Sequence, residues 1–209
     1  MIKFDPKLIK EASKAKECLL NHGVIAFPTE TVMGLGVLYN DKDAYDRLNV
    51  VKERPEDKPY TLMLWKIDDI DKYGVLNPRI KRIIDTFIPG PLTILVKVKE
   101  NSVPGYVHHD TGIIGIRVPT NIEAQEVLMQ INMPLLVPSA NKSGGKPALT
   151  SNEVKEIFGD EIDFVVSGKA ISHTPSTIVD LTEDAPKVVR VGQISEEDIL
   201  KVWNETKEC

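Results

Sequence analysis

Cysteine is nearly absent from this chain, with Cys18 and Cys209 alone among 209 residues. That excludes a disulfide framework and a cysteine-built metal site, and it fits a reducing compartment. No apolar run approaches the length that spans a bilayer, and the opening Met1-Ile-Lys-Phe-Asp-Pro6 lacks the apolar core of a signal peptide, so a cytoplasmic, unanchored protein is expected. Positive charge is not in excess either. A formal net charge of −5 argues against a non-specific nucleic-acid binder, which would be basic. Repeats, low-complexity tracts and linker-like stretches are also missing. What remains is ordinary globular composition, 42% hydrophobic and 27% charged, enough for a core without staples. One domain over residues 1–209, with its core in about 10–200, is expected.

Asp5-Pro6 is a good helix start, and apolar residues recur at helical spacing from Leu8 to Leu20, with Gly23 suited to the C-terminal cap. Val24–Phe27 reads as a short buried strand and Asp41–Lys52 as a second helix that Pro55 ends. Strands are expected at Tyr60–Trp65, Leu92–Val98, Ile113–Val118 and Leu135–Val137. Helices follow Asn77-Pro78, span about Ile122–Asn132, open at the capping box Thr150-Ser-Asn-Glu153, and follow Ser195. Phe164–Val166, Thr177–Leu181 and Lys187–Val191 lie close in sequence, which predicts neighbouring antiparallel strands. Strand–helix–strand units mixed with strand pairs predict an α/β fold with one mixed sheet covered by helices.

Five stretches offer chemistry. Pro28-Thr-Glu-Thr-Val-Met-Gly-Leu-Gly36 ends a strand with a proline, hydroxyls and glycines. It fits a small polar ligand site, or equally a tight strand-to-helix turn. Lys52-Glu-Arg54-Pro55 and Lys58 form a cation cluster, with Arg54 held extended by the following proline; a solvated helix end is the plain alternative. Arg117 and Arg190 each sit among apolar residues in mid-strand, with Gly115 and Gly192 two residues away on the same face. Buried unpaired charge is costly, so each points to an anion site or a structural salt bridge. Val137-Pro-Ser-Ala-Asn-Lys-Ser-Gly-Gly145 carries hydroxyls, an amide and glycine N–H groups suited to a phosphate nest, or to a turn.

Other chemistries are missing. The glycine–lysine–serine spacing is not a Walker A loop. His108-His109-Asp110 cannot readily converge on one ion, and no serine–histidine–acid or cysteine–histidine arrangement stands out.

Pro28-Thr-Glu-Thr-Val-Met-Gly-Leu-Gly36, Lys52-x-Arg54-Pro55, Ile116-Arg-Val-Pro119, Ser139-Ala-Asn141 with Ser143-Gly144, Pro175-Ser-Thr-Ile-Val-Asp180 and Val189-Arg190-x-Gly192 together resemble the YrdC-type threonylcarbamoyl-AMP synthases. The likeness runs over about residues 10–200 with the motifs in family order. It implies an open twisted mixed sheet with a concave active-site face. It also implies synthesis of L-threonylcarbamoyladenylate from L-threonine, bicarbonate or CO2, and ATP, with release of pyrophosphate, for t6A modification of adenosine 37 in tRNA. By the same resemblance Thr31, Met63, Arg117 and Ser176 line the threonine pocket, with Arg117 pairing in two-pronged fashion with the substrate carboxylate. Lys52, Arg54, Lys58, Ser139, Asn141 and Arg190 hold ATP and its Mg2+, and Lys52 and Arg54 carry the catalytic charge stabilisation. Proteins that transfer threonylcarbamoyl to tRNA are the implied downstream partners, with weak contact to tRNA itself. Three positions depart from the family pattern: Met33 for a tyrosine, Met63 for a frequent histidine, and His173-Thr174 for a glycine-containing approach to Pro175-Ser176-Thr177. The competing readings are an RNA-binding or ribosome-maturation module, and a YrdC-like paralogue without synthase activity.

Overall fold

A computed structural model describes residues 5–53 and 59–205. Eight helices alternate with nine strands among them. The strands are β1 (Ile25–Phe27), β2 (Gly34–Leu38), β3 (Thr61–Met63), β4 (Leu92–Lys97), β5 (Ile113–Arg117), β6 (Leu135–Leu136), β7 (Phe164–Val165), β8 (Thr177–Asp180) and β9 (Lys187–Arg190). The helices are α1 (Pro6–Leu20), α2 (Lys42–Lys52), α3 (Ile70–Tyr73), α4 (Pro78–Phe87), α5 (Gly105–His108), α6 (Ile122–Ile131), α7 (Ser151–Phe158) and α8 (Glu196–Glu205). All nine strands join one sheet in the order β7-β1-β2-β6-β3-β5-β4-β8-β9. Three of its pairings are parallel and five antiparallel. The mixed sheet expected from the element order is present.

Local chemistry sets most boundaries. Asp5, Asp41, Asn77, Asn121 and Thr150 each accept a backbone N–H of the first turn of their helix, as N-caps do. Ser195 accepts from the N–H of Asp198. The end of α1 differs from expectation. His22, not Gly23, takes the left-handed backbone (φ +61°), while the Gly23 N–H closes onto the Cys18 carbonyl at 2.9 Å, a Schellman pattern. Glycine is needed there for closeness, because a Cβ would stand 2.7 Å from the Cys18 oxygen. Helix α2 ends with Glu53 left-handed; Pro55, Arg54 and Lys58 lie outside the described residues.

Two sequence expectations fail for topological reasons. Residues 28–33 join β1 to its antiparallel neighbour β2, so the stretch is a strand-to-strand connection. And while β8 and β9 pair antiparallel as expected, β7 is not beside β8. It pairs in parallel with β1 at the far end of the sheet. The chain from Val166 onward bonds to Ala26 and Thr29 backbone oxygens before Thr177 reaches Pro91, so it crosses the sheet near the ends of the strands.

The core lies on both faces. One face packs Ile94, Ile114, Ile116, Leu62 and Leu136 against α2, α4, α7 and α8. The other buries Ile25, Phe27, Leu135 and Val137 under α1 and α6. Beyond α1 and α6, against whose cluster Met63 of β3 still packs, the same face opens into a cleft over β5, β4 and β8. Thr61, Met63, Gly115, Arg117, Thr93 and Ile178 occupy that stretch, in register across the strands.

Gly192 marks where the edge strand closes against the Pro175–Thr177 turn. A Cβ there would stand 2.3 Å from the Pro175 oxygen and 2.5 Å from the Ser176 carbonyl carbon. Gly192→Ala therefore forces backbone apart, with an expected stability loss of about 2 kcal/mol or more, read as a lower midpoint in thermal unfolding.

Candidate active site

The cleft over the uncovered half of the sheet encloses about 210 Å3. Its walls include Thr29, Thr31 and Met33 from the first connection, Pro138 and Ser139 after β6, and Pro175 and Ser176 before β8; Met63, Thr93, Arg117 and Arg190 come from the strands. Of the ten residues expected from sequence, Thr31, Met63, Arg117, Ser176, Ser139 and Arg190 converge here. Lys52 and Asn141 stand behind the wall. Arg54 and Lys58 fall outside the described residues.

The two loops are stitched by backbone bonds. Met33 N–H reaches the Ala148 oxygen at 3.0 Å, Ala140 N–H the Met33 oxygen at 2.8 Å, and Leu35 N–H the Pro138 oxygen at 2.9 Å. Gly34 permits this approach, since a Cβ would meet a Val137 methyl at 2.7 Å. The close neighbour of that glycine is the Val137 side chain.

Lys52 is 2% exposed. Its ammonium donates to the carbonyls of Ser139 (2.6 Å) and Asn141 (2.7 Å), and its own carbonyl accepts from Ser143 N–H. The lysine thus clamps the Ser139–Gly145 loop from below. Asn141 spends its amide on the Lys142 and Gly145 carbonyls and accepts from the Ser139 hydroxyl. Outside, Lys142 is tied to Glu161 at 2.6 Å and Glu53 at 3.6 Å.

The two strand arginines differ. Arg117 pairs with Glu30 at 2.7 Å, both side chains only 7% exposed. The same Nη2 donates to the Thr31 hydroxyl at 3.0 Å. Both hydrogens of Nη2 are thereby used, and Nε is buried without a partner. Nη2 is thus spent on the protein, and a carboxylate takes it as one of two prongs only by displacing Glu30 or Thr31. Of the two readings weighed for this arginine, the salt bridge is present, and the side chain also lines the cleft.

Arg190 lies on the edge strand, where Val189 and Val191 are 56% and 64% exposed. The burial argument holds for Arg117 and not for Arg190. Arg190 donates from Nε and Nη2 to the Ser176 carbonyl (3.1 and 2.9 Å) and from Nη2 to the Ser176 hydroxyl (3.1 Å). No carboxylate among the described residues pairs with it. Desolvation first, and then the nearby Arg117 guanidinium, hold it below the ordinary arginine range. Two like charges facing one cleft favour an anion between them.

Two participants were missed. Glu30 appeared in the motif but was given no role; an acid between two threonines, with a mid-strand arginine elsewhere, was the available signal. Thr93, a lone hydroxyl in an apolar strand, shares a 3.0 Å bond with the Ser176 hydroxyl. Cysteine supplies no nucleophile among the described residues: Cys18 sits on α1, its thiol pushed up to about 11 by burial and then by Asp163.

Residues 17–192 match the profile of the Sua5/YciO/YrdC family, described as "Telomere recombination". The chain belongs to the Sua5/YciO/YrdC family. It is 28% identical to the Escherichia coli K12 "Uncharacterized protein YciO" over 86% of this chain and 88% of that one. The threonylcarbamoyl-AMP synthase of Pyrococcus abyssi is 32% identical over 88% of this chain, which spans 54% of the relative. The Bacillus subtilis enzyme of the same name is 30% identical over 95% of this chain and 57% of the relative. Among solved structures, P. abyssi Sua5 complexed with L-threonine superposes with a TM-score of 0.87 at 29% identity, covering 93% of this chain and 57% of Sua5. E. coli YciO gives 0.85 at 28% identity, covering 92% and 94%. Family members named threonylcarbamoyl-AMP synthase are enzymes, and the mixed sheet is their fold. Among the described residues no helix is long and apolar enough to cross a membrane.

Proposed function

We propose that this protein makes L-threonylcarbamoyladenylate from L-threonine, CO2 or bicarbonate, and ATP. The observation that carries the reading is the pair of guanidiniums, Arg117 and Arg190, facing a hydroxyl-lined cleft in a chain 29% identical to a Sua5 solved with L-threonine. At about 210 Å3 the cleft is smaller than the roughly 300 Å3 at which pockets for drug-sized ligands begin. It suits an amino acid, with the nucleotide reaching in from the open side.

In the proposed reaction the threonine amine attacks CO2, forming a C–N bond and a carbamate. A carbamate oxygen then attacks the α-phosphorus, the bond to the bridging oxygen breaks, and pyrophosphate leaves with that electron pair. No covalent enzyme intermediate is needed. The protein's part is positioning and charge stabilisation: Arg117 on the threonine carboxylate, Met63 and Thr31 against the amino acid, and Arg190 with Ser139 on the phosphates. Lys52 and Asn141 act here by holding the Ser139 loop, and Arg54 and Lys58 remain proposed ATP contacts. No acid among the described residues lines the cleft, and no three His, Cys, Asp or Glu residues among them gather into a site. Hydroxyls and guanidiniums are poor magnesium ligands, so the ion is proposed to enter on the phosphates of ATP, as part of the substrate. The product, a reactive mixed anhydride, requires a partner that transfers threonylcarbamoyl to tRNA.

Protein incubated with ATP, threonine, bicarbonate and Mg2+ should release pyrophosphate in a threonine-dependent way. Absence of that dependence refutes the synthase. It would favour the non-synthase paralogue, which the near full-length match to YciO keeps in view. Arg190→Ala should raise the ATP concentration for half-maximal release by about tenfold, the loss of one charge-assisted contact, while half-saturation by threonine shifts much less.

A further inference from the structure

Strand β9 is an edge of the sheet, and among the described residues it pairs with β8 alone. Its register shifts part-way along. Arg190 stands opposite Ile178 and Val188 opposite Val179, so Val189 is the extra residue of a bulge. The shift decides what Arg190 can touch. Strict alternation would put Arg190 on the face of Val188, which packs against the helix-covered core. With the bulge, Arg190 shares the face of Ile178, and both line the cleft. A one-residue slip would turn the guanidinium away from it.

The turn after β9 is anchored by one side chain. The Thr177 hydroxyl, on a residue with no exposed surface, accepts the N–H of Gly192 at 2.9 Å and that of Ile194 at 3.0 Å. It donates to the Ile194 carbonyl at 2.7 Å. One hydrogen and two lone pairs are all a hydroxyl has, so this one is spent on the Gly192–Ile194 turn and has nothing left for a ligand. The N–H of Thr177 meets the Pro91 carbonyl at 2.9 Å, which ties the anchor to the start of β4. The turn has a second tie in Gln193, whose amide lies 3.2 Å from the Thr174 carbonyl and 3.4 Å from that of Glu30. Gln193 is exposed, so water competes for those bonds and the buried hydroxyl is the firmer hold. Arg190, two residues before Gly192, reaches back over the Ser176 carbonyl and hydroxyl.

We propose that Thr177 is a positioning residue whose hydroxyl locks the register of the bulged edge strand and so presents Arg190 to the phosphates of a nucleotide. The proposal deepens the synthase reading and rests on its assignment of Arg190 to ATP. An edge strand has no second neighbour to resist slippage, and the ladder of β9 ends at Arg190 itself. Beyond that point the three bonds of the Thr177 hydroxyl take the place of a ladder. Losing them frees Arg190 while the inner strands stay paired. The effect therefore falls on the nucleotide, because Thr31, Met63 and Arg117, the proposed amino-acid contacts, stand on other elements.

Calorimetric binding of ATP with Mg2+, and separately of L-threonine, to the full chain tests the role. Thr177→Val keeps the branched shape and removes the hydroxyl. It should weaken ATP by about threefold to tenfold, up to the loss of the charge-assisted contact at Arg190, and leave L-threonine nearly unchanged. Thr177→Ser keeps the hydroxyl and should bind ATP as the wild type does; weakened ATP binding there would assign the effect to the methyl group and overturn the proposal. Gln193→Ala should leave ATP binding nearly unchanged, and a loss equal to that of Thr177→Val would move the anchor to Gln193. In an Arg190→Ala background Thr177→Val should cost little more, because the route from Thr177 to ATP is already cut. A full additive loss there, or unchanged ATP binding in Thr177→Val alone, overturns the positioning role and leaves the synthase reading standing. If the wild-type protein binds no ATP, the nucleotide reading and this inference fall together.

Discussion

Arg117→Ala is expected to abolish threonine-dependent pyrophosphate release and to destabilise the fold as well. Removing one partner of a buried pair leaves the other charge uncompensated, at a cost of about 3–5 kcal/mol. Glu30 would be that orphan, since its side chain is 7% exposed and Arg117 is its ion-pair partner among the described residues. Thr31 would lose the donor that orients its hydroxyl. In thermal unfolding the loss corresponds to a midpoint lower by about 6–20 °C for a chain of this size. Combining the substitution with Glu30→Gln tests whether the two effects share a cause. The double variant should regain much of the stability, because no buried carboxylate is left bare. It should not regain threonine dependence, because the cation is still missing. Recovery of both would show that Arg117 only holds the fold and would remove it from the proposed substrate contacts.

Lys52→Met keeps the length and the apolar stem of the side chain and removes the ammonium. The Ser139 and Asn141 carbonyls then lose a donor held at 2.6 and 2.7 Å inside the protein. The Ser139 carbonyl keeps the Asn141 N–H at 3.0 Å, so the Asn141 carbonyl is the acceptor left unsatisfied, and a loss of about 1–3 kcal/mol is expected, measured by denaturant or thermal unfolding. The Ser139–Gly145 loop should loosen, and pyrophosphate release should fall with it at all ATP concentrations. Were Lys52 instead a direct ATP contact of no structural weight, ATP dependence would shift with stability almost unchanged. The resemblance had placed Lys52 on ATP. Its burial beneath the loop gives the clamp the stronger physical case.

The elements of the fold were largely legible because their signals are local. Asp5, Asp41, Asn77 and Thr150 are side chains that satisfy helix N-termini within three residues of themselves. The alternation in Ile113–Val118 put Arg117 and Gly115 on the face opposite Ile114 and Ile116, and the structure keeps them there. Gly115 also clears its face as expected, since a Cβ would crowd a Leu95 methyl at 3.2 Å. The same alternation misled at Val189 and Val191. Period two says which residues share a face and not whether anything covers it, and β9 is an edge. Likewise β7 and β8 are near in sequence, but β7 pairs with β1 across the sheet, a long-range choice with no local mark.

What the amino-acid order determined by itself is eight of the nine strands and six of the eight helices, with β2, α3 and α5 unread, together with the mixed sheet and the six motifs that carry the family resemblance. Caps, periodicity and residue type act over a few positions, so they can be read without a fold. Tertiary structure alone decided how the charges are spent. It gave Arg117 to Glu30, 87 positions away, put Lys52 under the Ser139 loop, and left Arg190 without a carboxylate among the described residues. Pairing of buried charge depends on distances between segments remote in sequence, and the cost of leaving such a charge unpaired is what makes each of those pairings decisive.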